Sequence, residues 1–372
     1  MNATERLGII TDFDSAREKR DDFIARRYRL LDVARELLPD HRVAGCLHVP
    51  IPGKVVEVWK EIKSGHAHLH GVGRCGSAWV CPVCATKIAI GRADEIEGGI
   101  KAAQVKGLIP VFITFTASHQ RDDALVSTLT KQKAALRFMR ASRRWGKLKA
   151  IYGITGQIDA WEITWGFSAG WHPHNHGLYF VKSAPEVECL ENELFDLWSH
   201  ELSKQGLSCN RSNGVKVLHG QAAVAGYMAK WGLQSELTSP EKRGRKDNYT
   251  PFQLLSLYEH GDAWAGGLYQ EFSNATKGLS MIRWSRGLRD VLGLRTELTD
   301  QALAESEESD GSVLMLPLTR DEYKKIIYSG RRGVIGEMLM VAELGLPELI
   351  AWLSIFGISP RDAFENSMHN TS

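Results

Sequence analysis

The sequence predicts an α+β fold with a central, mainly antiparallel sheet of about five strands backed by helices. Segments rich in β-branched and aromatic residues, such as IPVFITFTAS, alternate with longer segments whose apolar residues recur at helical spacing. Only five residues, GFSAG, separate two of the predicted strands, which is typical of a hairpin. The order strand, helix, strand, hairpin strand, helix, strand, helix favours antiparallel pairing with helices packed on the sheet.

Each predicted element depends on a local pattern. Residues 1–45 are predicted to be helical because charged and apolar residues alternate at helical spacing through FIARRYRLLDVARELL. The elements that follow are a helix at 87–107, a strand at 109–118, a helix at 122–145, a strand at 153–165, a strand through WHPHNHGLYF (171–180), a helix at 185–205, a short strand at 214–218 and a helix at 221–231.

The composition is that of a globular protein. The chain has 372 residues, of which 43% are apolar and 24% charged, and its formal net charge of +2 does not by itself indicate a nucleic-acid binder. Basic residues nevertheless cluster in RASRRWGK and KRGRK, where a solvated face is the commoner explanation and contact with DNA phosphates is the alternative. The candidate DNA-binding residues are Arg140, Arg143, Arg144, Lys147, Lys242, Arg243, Arg245 and Lys246.

The sequence also bears on location. The first residues lack the long apolar core of a signal peptide. The most apolar long segment, 334–359, is interrupted by glutamates and broken by Pro347, which favours helices buried in a protein core over a membrane span. We therefore expect a cytoplasmic protein with no membrane partner.

Three cysteines in GRCGSAWVCPVC predict a structural zinc site, formed by Cys75, Cys81 and Cys84. The tight Cys-Pro-Val-Cys turn lets two thiolates converge on one ion. A reducing compartment disfavours a disulfide between them. Cys46 is the candidate fourth ligand, and the histidines that compete with it are His48, His66, His68 and His70.

The stretch WHPHNHGLYF places His172, His174 and His176 at alternate positions. Residues two apart in a strand project from the same face, so these rings would crowd one surface, where neutral imidazoles can share a cation. If the hairpin is symmetric about Ser168, Glu162 lies opposite His174. We therefore predict that His174, His176 and Glu162 hold a divalent cation. A carboxylate with imidazoles suits Mg²⁺ or Mn²⁺ near phosphate, with zinc as an alternative.

Three short motifs carry a resemblance to a known family. FITFT (112–116), HPHNH (172–176) and GYMAKW (226–231) resemble, in this order, the motifs of plasmid and phage rolling-circle replication initiators, members of the HUH endonuclease superfamily. The upstream cysteines and the stretch 251–289 resemble the zinc-containing subset of these proteins. The resemblance covers roughly residues 40–290 and implies a ferredoxin-like or RRM-like fold for the sheet.

The resemblance implies roles for individual residues. In that family the last two histidines of the motif bind the cation, which corresponds here to His174 and His176, and a tyrosine on a helix is the nucleophile, here Tyr227 with Lys230 three residues later. The implied activity nicks one DNA strand at a replication origin, keeps the 5′ end as a phosphotyrosine and leaves a free 3′ hydroxyl. The implied partners are origin DNA and the host helicase and polymerase.

Two positions depart from the family pattern. A bulky apolar residue usually separates the two metal-binding histidines, and here that residue is Asn175. Relatives with the zinc cluster often have a glutamate four residues before the tyrosine for hydrolytic termination, and here that residue is Ala223. Initiation chemistry survives this change, whereas the termination step loses its usual residue.

The resemblance also suggests an organisation and leaves two alternatives. A single-tyrosine transposase of the same superfamily and a non-catalytic, zinc-stabilised DNA-binding repressor are the other functions that this pattern allows. The predicted regions are a helical N-terminal region with the zinc-binding segment (1–108), the HUH nuclease core (109–235), a helical and basic DNA-binding extension (236–295), and an acidic linker with a C-terminal helical region (296–372).

Overall fold

The structure is a computed structural model of the chain, and it describes residues 3–230, 248–306 and 311–359. Side chains are described from Arg20 onward, apart from those of residues 226 and 228–230. This part of the chain confirms the α+β class, with antiparallel sheets backed by helices.

The elements alternate as the sequence predicts between residues 87 and 230. The helices are α1 (Ala3–Leu37), α2 (Pro82–Val105), α3 (Leu125–Ala141), α4 (Arg143–Tyr152), α5 (Val187–Lys204), α6 (Gly220–Lys230), α7 (Pro251–Glu259), α8 (Ala263–Ala275), α9 (Leu288–Leu292), α10 (Asp300–Glu305), α11 (Arg320–Ile327), α12 (Val334–Leu344) and α13 (Leu346–Ser354). The strands are β1 (Val56–Glu61), β2 (Ala67–His70), β3 (Ile109–Thr116), β4 (Gly156–Gly166), β5 (Gly170–Val181), β6 (Val215–His219), β7 (Asn248–Tyr249), β8 (Ile282–Trp284) and β9 (Ser312–Leu318).

One predicted helix, 122–145, is divided into α3 and α4. Ser142 lies between them in an extended conformation, and its hydroxyl accepts a hydrogen bond from the backbone N–H of Trp145. A serine in this position satisfies a backbone donor at the start of a new helix, so the chain begins α4 instead of continuing α3.

The chain divides into two compact units. The first contains residues up to Lys87 and from Thr299 onward, and the second contains Ile88–Leu298. The four regions inferred from the sequence stay a prediction. They were defined by motifs and composition, whereas the two units are defined by compactness, so one division does not test the other.

The first unit contains an antiparallel sheet with the strand order β2-β1-β9, which the sequence did not predict. Its strands are short and carry a weak pattern, since β1 buries Val56 and Val58 while its other side chains are partly exposed. Strand β9 (Ser312–Leu318) lies in the region expected to be a linker and helices. The described part of the C-terminal region is therefore helical with one added strand.

The apolar segment at 334–359 forms helices, as predicted. Helices α12 and α13 are separated at Gly345, and Pro347 lies in the first turn of α13. Met338 and Leu349 are among the side chains that these helices bury. Within the described ranges, every helix is too short or too polar to span a bilayer.

The second unit contains a six-stranded antiparallel sheet within the described residues, in the order β6-β3-β5-β4-β7, with β8 also paired to β4. One face packs on α3, α4 and α5, and we call it the core face. The buried side chains of this packing include Val111, Ile113, Phe115, Tyr179, Leu136, Trp145, Leu194 and Trp198. The other face carries the histidines of β5, and we call it the histidine face. Phe112 on this face contacts the ring of Tyr227 from α6, with centroids 5.6 Å apart.

The hairpin of β4 and β5 has the predicted register. Glu162 pairs with His174, as symmetry about Ser168 requires. Gly170 begins β5 with a φ of +72°, and a Cβ there would lie 2.3 Å from the backbone oxygen of Arg121. Glycine is therefore needed at this position both for the left-handed backbone and for the close approach of the neighbouring loop.

A buried ion pair joins α3 to the core face. The Arg140 guanidinium donates two hydrogen bonds of 2.7 Å to the Asp159 carboxylate and a third of 2.7 Å to the Tyr179 hydroxyl. Burial raises the pKa of Tyr179 to about 12, so its phenol stays protonated at neutral pH. Arg140 therefore belongs to an internal network. Its guanidinium is not available for the contact with DNA phosphates that the sequence predicted.

We predict that Asp159→Ala destabilises the protein by about 3–5 kcal/mol, because the change leaves the Arg140 charge buried without its bidentate partner. Chemical denaturation followed by circular dichroism measures this. Glu193→Ala is the control, since Glu193 forms an exposed pair with Arg144 at 3.3 Å and its loss should cost less than about 1 kcal/mol. Equal destabilisation by the two changes would contradict the importance of the buried network.

Candidate functional site

The three histidines of β5 form a row on the histidine face. The ring centroids of His172 and His174 are 6.1 Å apart, and those of His174 and His176 are 6.2 Å apart. The rings are close to parallel, with interplanar angles of 7° and 23°. His176 is 3% exposed, whereas the other two are partly exposed. The row therefore runs from the protein interior toward the surface.

Two threonines of β3 orient the two inner histidines. The Thr114 hydroxyl bonds to Nδ1 of His176 at 3.0 Å, and the Thr116 hydroxyl bonds to Nδ1 of His174 at 2.9 Å. Each contact follows from the register, since Thr114 pairs with His176 and Thr116 with His174. With Nδ1 engaged on β3, Nε2 of His176 is directed the other way and contacts Glu162 of β4. A partner on one ring nitrogen is the usual way in which proteins fix a histidine for metal binding.

The sequence alone predicted no role for these threonines. A signal existed, because FITFT alternates threonine with apolar residues in step with the alternate histidines of HPHNH. Only the pairing of β3 with β5 connects the two alternations, and the sequence does not state which strands are neighbours.

Glu162 of β4 lies beside the inner end of the histidine row. Its Oε2 is 2.7 Å from Nε2 of His176, and its side chain is 30% exposed. Two imidazoles and a carboxylate are a suitable donor set for a divalent cation. Within the described residues, one group has three or more potential metal-ligand atoms that all lie within 4.8 Å of one another, and it consists of the four cysteines described below. The ligand atoms of His174, His176 and Glu162 are therefore spaced more widely than those of the cysteines. Binding an ion here would require Glu162 to exchange its bond to His176 for the cation.

His119 extends the row at its outer end, although no motif in the sequence includes it. Its ring lies edge-on to that of His172, with centroids 4.1 Å apart, and its Nδ1 donates to the backbone oxygen of Ala117 at 3.2 Å. Burial and, to a lesser extent, the neighbouring His119 lower the pKa of His172 to about 4. The outer imidazole of β5 is thus neutral at pH 7 and keeps a lone pair.

Asn175, the departure from the family pattern, lies on the opposite face of β5 from the two histidines beside it. It is 2% exposed, and its amide nitrogen donates to the backbone oxygen of Ala160 at 3.2 Å. Its cross-strand partners are Phe115 and Trp161. The asparagine therefore fills a core position and leaves the histidine face unchanged.

Tyr227 lies on α6 against the histidine face and is fully buried. Its hydroxyl donates to the backbone oxygen of Ile158 at 3.2 Å. The Phe112 ring contacts both Tyr227, at 5.6 Å, and His176, at 5.5 Å, so one aromatic ring separates the tyrosine from the histidine row. Ala223 on the same helix is also buried. The side chain of Lys230 lies outside the described residues.

The four cysteines of the first unit converge on one point. The Sγ atom of Cys46 is 3.6 Å from those of Cys81 and Cys84, and the Sγ atoms of Cys75 and Cys84 are 3.7 Å apart. All four are buried free thiols. A tetrahedron with Zn–S bonds of about 2.3 Å has edges of about 3.8 Å, so these separations fit four thiolates around one ion. The group could hold a metal such as zinc.

The thiols influence one another strongly. Hydrogen bonds from the other three thiols lower the pKa of Cys84, whereas burial raises that of Cys81. Cys46 completes the group, and none of the described histidines that competed for the fourth place belongs to it. Cys189 is exposed on α5 and is not a member of the group.

The remaining basic candidates are distributed over two places. Arg143, Arg144 and Lys147 are exposed on α4, which packs against the core face, and Arg144 pairs with Glu193 at 3.3 Å. They therefore lie on the side of the sheet away from the histidines. The second basic run, with Lys242, Arg243, Arg245 and Lys246, falls outside the described residues.

Comparison with known proteins gives two similar sequences. The chain is 25% identical over 338 aligned positions to a protein named Protein rep from Streptomyces lividans, covering 71% of this chain and 74% of that protein. It is 28% identical over 154 positions to a protein named Neomycin resistance protein from Streptomyces cyanogenus, covering 35% of each. No family model and no solved structure matches the chain.

We predict that Cys81→Ser lowers the zinc content of the purified protein and lowers its stability before it alters any activity, because structural zinc contributes to folding. Metal analysis by mass spectrometry and thermal unfolding measure the two effects. Cys189→Ser is the control, since this exposed thiol lies outside the group. Folded, active wild-type protein that contains no zinc would contradict the prediction.

Proposed function

We propose that this protein is a rolling-circle replication initiator of the HUH type, which nicks one strand of origin DNA through a tyrosine. The observation that carries the proposal is the pair His174 and His176, each held through Nδ1 by a threonine of β3, with Nε2 of His176 beside Glu162 of β4. The similarity to Protein rep over most of both chains supports a role in plasmid DNA replication. The ferredoxin-like or RRM-like fold is part of the same proposal, and the antiparallel sheet with helices on both faces is compatible with it.

We propose that His174, His176 and Glu162 hold Mg²⁺ or Mn²⁺. A bound cation supplies positive charge that polarises the scissile phosphodiester and stabilises the charge that develops on it. Thr114 and Thr116 hold both rings through Nδ1, and the tautomer in which Nδ1–H donates to the threonine hydroxyl leaves the Nε2 lone pair for the cation. Glu162, at 30% exposure, is accessible both to the inner histidine and to an ion arriving from solvent.

We propose that Tyr227 is the nucleophile. Its oxygen forms a bond to phosphorus, the bond from phosphorus to the 3′ oxygen breaks, and the tyrosine proton is transferred overall to that 3′ oxygen. The products are a 5′ phosphotyrosine and a free 3′ hydroxyl, and the linkage can be rejoined without ATP because its bond energy is conserved. In the described arrangement the Tyr227 hydroxyl is bound to the Ile158 oxygen, so α6 must shift and exchange that bond for the DNA phosphate.

Other residues contribute to the proposal less directly. Lys230 follows Tyr227 by three positions and is suited to favour the phenolate or to hold a phosphate. Ala223 has no carboxylate to activate water, so strand transfer to a second hydroxyl is the route of release that this chain retains. Arg143, Arg144, Lys147 and the basic run at 242–246 are proposed to contact DNA phosphates, whereas Arg140 is not, because of its buried pair with Asp159.

We predict that His176→Ala lowers nicking of supercoiled origin DNA by about 100-fold or more, because the inner ligand of the cation is lost. Thr114→Val should keep the ring but weaken metal activation by roughly 10–100-fold, since it removes the partner of Nδ1. The Mn²⁺ dependence of relaxation on agarose gels measures both. His200→Ala, a histidine 61% exposed on α5, is the control. Full activity of His176→Ala would contradict the metal assignment.

We predict that Tyr227→Phe abolishes the covalent adduct on the 5′ side of the nick while metal and DNA binding persist. A labelled oligonucleotide that stays with the protein after denaturation measures the adduct, and peptide mapping locates it. Tyr269→Phe is the control, because this tyrosine of the same unit is equally buried. Cleavage by Tyr227→Phe without an adduct would show that water is the nucleophile, and an adduct on another tyrosine would replace Tyr227 while leaving the reaction class in place.

A further inference from the structure

A second run of alternate histidines lies in the first unit. The segment HAHLH (66–70) repeats the alternate spacing of HPHNH, and its histidines do not belong to the cysteine group. His68 and His70 lie on β2, and their side chains project from the same face because the residues are two apart. We call these two residues the β2 histidine pair. His66 precedes the strand and is exposed.

The two rings of the β2 histidine pair are separated by a distance that one metal ion can bridge. Their centroids are 4.9 Å apart, and their planes are tilted by 39°. A divalent transition metal lies about 2.0–2.1 Å from an imidazole nitrogen, and therefore about 3.2 Å from the ring centroid. Two imidazoles that share an ion at an angle of about 90–110° have centroids about 4.5–5.2 Å apart. The separation in this pair falls inside that range.

The His68 ring has an unusual environment for a polar group. Both of its ring nitrogens are shielded from solvent, and neither has a hydrogen-bond partner within the described residues. A neutral imidazole contains one donor and one acceptor, and buried groups of this kind nearly always have partners. A metal ion bound to one nitrogen would supply such a partner. The residue as a whole is only partly buried, so a rotation of its side chain gives an ion access.

Trp59 of β1 positions the His70 ring. Its indole stacks on that ring, with centroids 5.2 Å apart and an interplanar angle of 24°. The indole N–H donates to the Glu57 carboxylate at 2.9 Å. Glu57 is the residue that pairs with His70 across the β1–β2 ladder, so the strand register and this hydrogen bond together hold the indole in place. A ligand ring whose plane is fixed in advance loses little conformational freedom when an ion binds.

The electrostatic surroundings keep the His68 ring neutral. Burial, followed by the neighbouring His70 and two cationic side chains, lowers the pKa of His68 to about 4. The two cations are Lys87 and Arg74, and the negative charge of Glu61 on β1 acts in the opposite direction. At pH 7 the His68 imidazole is therefore uncharged and keeps the lone pair that a metal ion requires.

We infer that the β2 histidine pair binds a late first-row divalent metal ion of the Ni²⁺, Cu²⁺ and Zn²⁺ class. Imidazole nitrogen suits these ions, whereas Mg²⁺ and Ca²⁺ prefer oxygen ligands. Within the described residues the pair does not belong to a group of three or more protein ligand atoms gathered within 4.8 Å, so solvent fills the remaining positions. The pair lies in the first unit, whereas the proposed nuclease cation is assigned to the second, and the inference does not depend on nicking.

Isothermal titration calorimetry of the full chain with nickel chloride, after dialysis to remove loosely bound metal, tests the inference. Every protein in the series carries His176→Ala, which removes the inner histidine of β5 as a competing ligand. His68→Phe keeps a flat ring without nitrogens, and His70→Gln keeps a polar side chain. Each should weaken Ni²⁺ binding by about 10-fold or more. His200→Phe is the matched control, because this histidine is 61% exposed on α5 and should not change the affinity.

A fluorescence measurement locates the ion. Ni²⁺ bound at His70 should quench the emission of the stacked Trp59 indole, so the Ni²⁺-dependent quenching should decrease in Trp59→Phe. Quenching of the same size in that variant would place the ion elsewhere and overturn the inference. Unchanged Ni²⁺ affinity in folded His68→Phe or His70→Gln, or an equal loss of affinity in His200→Phe, would also overturn it. If His68→Phe does not fold, the more exposed substitution His70→Gln decides the outcome.

Discussion

The antiparallel register of β5 between β3 and β4 is the constraint on which the candidate site depends. Side chains alternate between the two faces of a strand, and this register places His174 between Thr116 on one side and Glu162 on the other. A slip of one residue would turn both inner histidines into the helix-packed core and bring Asn175 to the histidine face. The contact between Gly170 and the neighbouring loop holds the register at the end of the hairpin.

The two faces of this sheet combine opposite requirements in one strand. The core face buries Tyr179 with the Arg140 and Asp159 pair, so its polar groups are satisfied internally and contribute to a fixed position of α3. The histidine face holds the imidazole rings in a fixed orientation through Thr114 and Thr116, while the Glu162 partner of His176 can be exchanged for a ligand. Rigidity on the first face lets the second hold its donors in place with short-range contacts to neighbouring strands.

The sequence predicted the parts of the fold that carry strong local patterns. The hairpin, its register and the helices around it followed from periodicity and from a five-residue connection. The sheet of β1, β2 and β9 was missed because its strands are short and β9 is far away in the chain. Contacts with distant partners were harder to predict. The sequence presented Arg140 as a surface charge because its partner Asp159 lies 19 residues away. Cys46 was predicted as the fourth cysteine of the zinc site, and the folded first unit excludes the described histidines that competed with it.

Because the Tyr227 hydroxyl is buried and hydrogen-bonded to the Ile158 oxygen, its reactivity depends on how many molecules break that bond and expose the hydroxyl. A buried group reacts only in the fraction of molecules that expose it, so the rate of any reaction at this oxygen is the intrinsic rate multiplied by that fraction. The same burial shields the phenol from water and from phosphates that bind by chance. A ligand that binds the exposed form better than the buried one raises the fraction, and its binding energy then sets how selective the chemistry is.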